Sequence, residues 1–586
     1  MAPAAVRTFP QLITMKYNIE IRQRPAGRFH AGSLHPRLSK IYAARNVESE
    51  EDINYPLADL IPPDDLPGIR EALDILEECL RQDARIMFIG DFDADGATST
   101  VVGMKALTAM GAGKVDYLVP NRFDHGYGLS PEIVRIAEAS QPDLLITVDN
   151  GIASMDGVEA ARSLGMSVII TDHHLPGEEL PAANAIVNPN LDGSRFGSGA
   201  LAGVGVIFYV MVALRSRLRE RGWFSARRPQ PNLGELLDLV AIGTVADLVP
   251  LDKNNRVLVA NGLARINAGR SRPGVSALLE YCNAGIGDIC ASDIGFGVAP
   301  RLNAAGRLED MSLGIECLLA EDSLQASGMA RELDRLNRDR REIESEMKKQ
   351  AMAIVDGMQL SGSVGHGVCL YDEQWHQGIV GLVAGRVKDR TGLPVIAFAQ
   401  AGGDELKGSA RSVSGLHIRD ILCDISTRHP DLIERFGGHA AAAGLSLKTR
   451  NLERFREAFS AAVDAHSDGD DGNVVYSDGG LTDEELSIDF AGLLRHSGPW
   501  GQQFPEPVFD DEFEVLESRT VGGDHLKLRV RKKEGGRIVD AISFYHEETV
   551  DRAGMARGVR MIYKLDVNEY RGARKPQLIV QHMLPS

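Results

Sequence analysis

Between residues 55 and 275 short apolar runs alternate with amphipathic ones. Residues 86–89, 115–119, 144–148, 168–171 and 185–187 read as strands. Residues 73–80, 98–110, 131–139 and 155–164 read as helices, with Ser130 as N-cap and Pro131 in the first helical position. Short apolar strands separated by helices predict a parallel, doubly wound α/β sheet. The apolar stretch 200–214 is short for a membrane span and holds two glycines, so it predicts a buried core helix. A further apolar run, 239–246, ends like the strands do, at an aspartate.

Residues 321–356 read as one long helix: Met329, Leu333, Leu336, Ile343, Met347 and Ile354 recur at spacings of three, four or seven. A coiled-coil segment or a helix bridging two domains would each produce this. The pattern lasts only about three to four heptads, so a bridge is the simpler reading. Residues 366–465 form a second α/β region, with strands at 368–371 and 395–399 and an alanine-rich helix start at 440–443. After a polar, glycine-rich linker the tail is β-rich, with runs at 526–530, 538–544, 561–565 and 577–580. The expected organisation is an N-terminal segment 1–50 (1–14 an unstructured extension), an α/β domain 51–315, a connecting helix 316–358, a second α/β domain 359–465, a linker 466–474 and a β-domain 475–586.

With 586 residues the chain is too long for one core. Its net charge of −18 argues against a non-specific nucleic-acid coat. The charge is uneven: residues 521–586 hold 13 Lys and Arg against 8 Asp and Glu, a net of +5, which leaves −23 for the rest. A small basic β-domain suits a single-strand-binding barrel, with a purely structural β-cap as the alternative. The six cysteines form no CxxC pair, and the N-terminus has no charged segment leading into an apolar one. Both features place the protein in the reducing cytoplasm, away from membranes.

The chemistry gathers at strand ends. The run 86–89 leads through Gly90 into Asp91, Asp93, Asp95 and Gly96; 144–148 leads into Asp149-Asn150-Gly151; 168–171 leads into Asp172-His173-His174; and 239–246 leads into Asp247. One such aspartate can be a helix cap. Four segments converging beyond the carboxyl ends of a parallel sheet predict a cation site. Oxygen ligands with one or two imidazoles and no thiolate suit Mn²⁺ or Mg²⁺. The carboxylates exceed the needs of one ion. Two ions sharing a bridging aspartate would suit phosphoester hydrolysis.

Asp-Phe-Asp-Ala-Asp-Gly, Val-Asp-Asn-Gly, Thr-Asp-His-His and Gly-Thr-Val-Ala-Asp, in that order, resemble the four motifs of the DHH phosphoesterases. Further stretches (120–123, 126–130, 301–307, 375–378 and 436–440) resemble the bacterial single-strand-specific exonucleases within that family, and the likeness covers roughly residues 50–586. The resemblance implies a DHH domain, a DHH-associated substrate domain and a C-terminal OB-like barrel. It implies that Asp93, Asp95, Asp149, His173 and Asp247 are metal ligands. Asp91 stands one step back in the same motif. Some relatives carry a histidine four residues before the first ligand, where this chain has Ile89. By the same resemblance Asp172 orients an imidazole from outside the ligand set, and His174 faces the scissile phosphate. Arg122, Ser409 and Arg411 read a 5′ phosphate, Gly437, Gly438 and His439 hold substrate, and Arg301 and Asn303 lie on the substrate side. The residues alone leave Arg301 and Arg307 as helix caps or ion-pair partners, and His376 as a packed loop histidine.

The combined reading is a two-metal hydrolase that removes mononucleotides from the 5′ end of single-stranded DNA in repair and recombination. It would act as a monomer, partnered by a single-strand-binding protein and a helicase. Phe504, Phe509 and Phe544 are candidate base-stackers or core residues. Two alternatives stand: a DHH phosphodiesterase for oligoribonucleotides or cyclic dinucleotides, and a non-catalytic replication scaffold. The complete metal motifs and the basic tail argue against both.

Overall fold

A computed structural model of the chain describes residues 19–123, 127–282, 285–361, 366–466, 474–522, 525–533, 535–544, 558–570 and 572–585. The expected extension over 1–14, Gly126 and nearly all of the expected linker lie outside the described residues. The chain forms two units. One contains residues 54–469 with 499–504; the other takes the described residues before 54, those of 470–498 and those from 505 onward.

A short strand, β1 (Glu20–Gln23), precedes the larger unit. That unit opens with β2 (Ile86–Ile89), β3 (Val115–Leu118), β4 (Leu144–Val148), β5 (Ser167–Thr171) and β6 (Ala185–Val187). All pair in parallel, in the order β3-β2-β4-β5-β6. The winding direction reverses between β2 and β4. That is the switch point, where a crevice opens beyond the strand ends. The central strands β2, β4 and β5 read as continuous apolar runs because both faces are covered, whereas edge strand β3 exposes Asp116. Helices Pro131–Glu138 and Met155–Ser163 put Ile133, Val134, Val158 and Ala161 against Met87, Ile89, Leu145, Val168 and Ile170. On the other face lie α1 (Ala94–Met110) and α2 (Gly203–Glu220). Gly103 of α1 admits Phe88, whose ring would lie 2.4 Å from any added Cβ.

Two boundaries differ from expectation here. Helix α1 starts at Ala94 rather than residue 98, so the acidic motif is half turn, half helix. The run 239–246, grouped with the strand ends, is instead helix α3 (Leu237–Ala246), and Asp247 is its C-cap. A helix buried on every side carries no periodicity, so its sequence cannot be told from a buried strand.

Next come α4 (Ala299–Leu308) and α5 (Ser323–Ser361). Helix α5 is the expected bridge. Asp334 pairs with Arg301 of α4, and Met347, Ala351 and Val355 enter the core of the second α/β domain. That domain holds β7 (Val368–Tyr371), α6 (Val380–Thr391), β8 (Val395–Gly402), β9 (Glu405–Arg411), β10 (Arg435–Gly438) and β11 (Ala442–Lys448). Its sheet runs β10-β11-β9-β8-β7, with only β7 and β8 parallel. The alanine run expected to start a helix therefore enters strand β11. The chain reverses directly after Gly438, which has φ +146 and where a Cβ would lie 2.4 Å from Ala443 Cα.

In the second unit β1 pairs in parallel with β12 (Val474–Ser477), so the N-terminal segment belongs with the C-terminal part of the chain. Arg45, whose side chain is fully buried, grips Asp478 with two hydrogen bonds of 2.9 and 3.0 Å. Strands β13 (Phe509–Val521), β14 (His525–Lys532), β15 (Ile538–Ser543), β16 (Val559–Tyr570) and β17 (Ala573–Pro585) close into a barrel in the order β13-β14-β15-β17-β16. Closure pairs the first and last strands of the sheet instead of leaving them as edges. Phe509 packs on Tyr563 inside the barrel, and Phe504, in the larger unit, stacks on Trp500. Both phenylalanines are buried, so neither is a base-stacker; Phe544 is half exposed. Among the described residues no helix is long and apolar enough to cross a membrane.

Candidate functional site

At the switch point the acidic turn is shaped by its own side chains. Asp93 caps α1, one oxygen accepting from the Asp95 and Gly96 amides at 3.0 Å each. Both capping bonds use Asp93 Oδ1, so capping does not by itself remove this carboxylate from a ligand set. Asp95, buried in the first turn, accepts from the Gly203 amide at 2.6 Å and the Val204 amide at 2.9 Å, at the N-terminus of α2. Helix ends reach this close because they carry glycine. A Cβ on Gly203 would lie 2.5 Å from Asp149 Cβ, one on Gly243 2.7 Å from Asp95 Oδ1, and one on Gly306 1.8 Å from the Phe92 carbonyl. Asn303 accepts from the Ala94 amide at 2.7 Å and so braces the turn from α4.

The second and third acidic segments meet the first. Asp149 sits in the left-handed region (φ 62), and Asn150 ties the ends of β2 and β4 through the carbonyls of Ile89 and Val148. His173 Nε2 lies 3.1 Å from Asp149 Oδ1 and 3.4 Å from Asp247 Oδ2. Side-chain atoms converge in three overlapping groups of possible ligands: Asp91, Asp93 and Asp149; Asp95, His173 and Asp247; Asp149, His173 and His174. Within each group the ligand atoms lie within 4.8 Å of one another.

The electrostatics of this cluster fit a cation. Burial, then repulsion from neighbouring carboxylates, lifts Asp91 and Asp149 well above the usual range, Asp95 to about 7 and Asp247 to about 9. Burial and the charge of His174 pull His173 down to about 4. Its contacts with the two aspartates are therefore not ion pairs, and a neutral imidazole is what a metal requires. Asp149 Oδ1 and His173 Nε2 are both buried and have no hydrogen-bond partner among the described residues. Asp172 is the opposite case. It accepts from the amides of Ile152, His173 and His174 and from His174 Nδ1 at 2.7 Å. Burial opposes its charge, but these donors win and lower its pKa. Burial likewise opposes the charged form of His174, yet the bond to Asp172 and the surrounding carboxylates raise it to about 9. The imidazole that Asp172 orients is thus His174. The His439 ring stacks on His174 at 6.0 Å, which brings the turn after β10 to this side.

Beside the carboxylates lies a cationic pocket. Arg122 lies 4.0 Å over the ring of Phe92, the residue between Asp91 and Asp93. Arg307 is half-buried. Desolvation, then the charges of Arg122, Arg340 and Arg411, lowers its pKa to about 9. Ser409 and Arg411 share one face of β9, and Arg411 donates to Ser409 Oγ at 3.0 Å. A Cβ on Gly381, in the first turn of α6, would meet Ser409 Oγ at 2.8 Å and Arg411 at 3.0 Å. Guanidiniums, a hydroxyl and a helix N-terminus that glycine lets approach closely are groups whose chemistry suits an anion such as a phosphate.

Arg301 is held by partners within the fold: its guanidinium is buried and bound to Asp334 at 2.8 Å, the Gly297 carbonyl at 2.7 Å and the Tyr281 carbonyl at 3.1 Å, the ion-pair reading that the residues alone left open. The arginine that joins Arg122 and Arg411 is Arg307, six residues on. Asn303 acts on the acidic turn through its hydrogen bond to Ala94. Gly437 and Gly438 form the end of β10, and His376 packs against Phe123 at 5.6 Å.

A buried crevice of carboxylates and one neutral imidazole, at the switch point of a parallel sheet, defines a DHH-type phosphoesterase. Residues 85–244 match the DHH family, N-terminal domain, residues 363–465 the DHHA1 domain and residues 477–582 the RecJ OB domain. The chain is 50% identical over 570 residues to the single-stranded-DNA-specific exonuclease RecJ of Dickeya dadantii (97% of this chain, 99% of the relative). It is 48% identical over 577 residues to that of Escherichia coli (97% and 100%). The crystal structure of RecJ from Thermus thermophilus in complex with Mn²⁺ superposes with a TM-score of 0.77 at 29% identity, covering 96% of this chain and 80% of that one. The chain belongs to the RecJ family of exonucleases.

Proposed function

We propose that this protein is a divalent-metal-dependent exonuclease that degrades single-stranded DNA from its 5′ end to mononucleotides. The observation that carries the reading is the junction of two sites through Phe92: buried carboxylates with unpartnered ligand atoms on one side, an arginine-lined phosphate cradle on the other. A terminal phosphate anchored by Arg122, Arg307, Ser409 and Arg411 would lay the first phosphodiester over the carboxylates. Asp91, Asp93, Asp95, Asp149, His173 and Asp247 would hold two Mn²⁺ or Mg²⁺ ions. When bound, these ions supply the positive charge that polarises water and offsets the charge developing on the phosphate. His174, kept protonated and oriented by Asp172, points a donor at the same phosphate. His439 and its two glycines, Gly437 and Gly438, close on the substrate from the second domain. The barrel unit would grip the following strand by backbone attraction and base stacking.

Relatives in complex with Mn²⁺ and with Mg²⁺ support the choice of ion, and relatives named single-stranded-DNA-specific support the substrate. The reading extends to a monomer in repair and recombination and to the cytoplasm, the last of which the six free thiols suit. An enzyme limited to single strands needs a helicase to expose them and must meet the protein that coats them. The test is digestion, in Mn²⁺, of single and double strands labelled at the 5′ or the 3′ end. Immediate release of 5′-labelled mononucleotide from single strands alone is expected. Release of the 3′ label first, or equal attack on duplex, would refute the reading.

A further inference from the structure

Phe296 is 78% exposed and Leu248 is 74% exposed, two of the most exposed apolar side chains among the described residues. Neither belongs to the metal or phosphate machinery, yet each sits on an element that also reaches it. Leu248 directly follows Asp247, in the left-handed backbone region (φ 59). A bulky residue there is strained, and such strain persists where the surrounding structure over-determines it, characteristically at functional sites. Phe296 sits in a π-helical turn, Ile294–Val298, that runs straight into α4. Such turns recur at functional positions. Asn303, which braces the acidic turn, lies about two turns further along the same helical run. The turn packs on α3: a Cβ on Gly295 would lie 3.5 Å from Val245, three residues before Leu248.

The π-turn is held in shape by Arg301. Its guanidinium reaches the Gly297 and Tyr281 carbonyls and is itself anchored by Asp334. A buried ion pair thus fixes the residue beside Phe296, while the ring itself stays in water. Burying that ring would be favourable, so a rigid mount that keeps it exposed calls for an occupant.

We propose that Phe296, flanked by Leu248, is a stacking platform for one nucleobase of the strand entering the metal site, with Arg301 as the positioning residue for the platform. This rests on the exonuclease reading above and deepens it. An aromatic face accepts any base without reading its sequence, which suits an enzyme that must pass every nucleotide. The platform would hold the strand in line as each nucleotide is removed.

The test uses the full-length protein with Mn²⁺ and a 5′-phosphorylated oligothymidylate carrying one abasic site at successive positions. In the wild type, KM should rise by about ten-fold when the abasic site occupies the platform. Phe296→Ala should raise KM on the intact strand by a similar factor, and the abasic penalty at that one position should vanish. Phe296→Trp should keep both the wild-type KM and the penalty. Circular dichroism and thermal melting establish that each variant is folded. The proposal fails if Phe296→Ala is folded and keeps both the wild-type KM and the same abasic profile. If the wild type does not degrade the strand at all, the exonuclease reading fails with it.

Discussion

The larger unit holds two five-stranded sheets that contribute to one site in opposite ways. The first is wholly parallel, so every strand ends on the same side. Loops at residues 91, 149 and 172 meet there although nearly 60 and 23 residues separate them. The second is mostly antiparallel and offers no such rim. It contributes instead through one strand face, where Ser409 and Arg411 project together towards the first turn of α6, and through the hairpin that carries His439. The parallel sheet concentrates negative charge in a buried crevice; the antiparallel sheet presents positive charge beside it. Strand polarity decides which chemistry each sheet can assemble, because only aligned strand ends can pool ligands from several segments.

The sharpest break between the two sheets is expected from Asp149→Asn. Asparagine tolerates the left-handed backbone at this position, so the fold should stand while a shared ligand charge is lost. Hydrolysis should fall by about 10³-fold or more, with single-strand affinity within a few-fold of wild type in a filter-binding or anisotropy assay. Loss of binding in step with turnover would mean that the crevice holds substrate rather than performing chemistry.

Arg411→Ala should act on the other sheet and more gently. The charge-assisted bonds it removes are each worth about 1.5–3 kcal/mol, so KM for 5′-phosphorylated strands should rise by roughly ten- to a hundred-fold. Strands with a 5′-hydroxyl should be little affected. Equal losses on both ends would dissociate this arginine from the terminal phosphate.

The smallest effect separates the sheets by pH. Without a cation, Asp91, Asp95, Asp149 and Asp247 hold their protons to higher pH than in the unfolded chain. Groups with raised pKa in the folded state cost stability as pH climbs from the ordinary carboxylate range towards about 7 and about 9. The metal-free protein should therefore melt lower at pH 8 than at pH 6. The rise in Tm on adding Mn²⁺ should be larger at pH 8, by a few degrees. Differential scanning fluorimetry in EDTA and in Mn²⁺ checks this, and an increment independent of pH would contradict it.

What could be read in the sequence follows the same division. The carboxylate motifs are local: each is an apolar run ending in ligands, so Asp91, Asp93, Asp95, Asp149, His173 and Asp247 stand out without a structure. The helical nature of 237–246 was hidden because a helix buried on all sides looks like a buried strand. The cationic pocket is not local at all. Arg122, Arg307 and Arg411 come from three distant segments, and nothing in Arg-Leu-Asn-Ala-Ala-Gly-Arg says which arginine faces the crevice. Six residues on a helix turn the side chain by roughly 240°, so one end of that motif meets Asp334 and the other meets the pocket. Phe504 and Phe509 illustrate the same limit: an aromatic in a β-rich tail can be core or platform, and here both are core.

The central claim is that the switch point of the parallel sheet holds two divalent ions that share Asp149. Mn²⁺ stoichiometry measured by electron paramagnetic resonance on the full-length protein tests it most directly. The account predicts two bound ions per chain in the wild type, spin-coupled to each other, and at most one in Asp149→Asn. A single uncoupled ion in the wild type, or two ions retained in the variant, would contradict it.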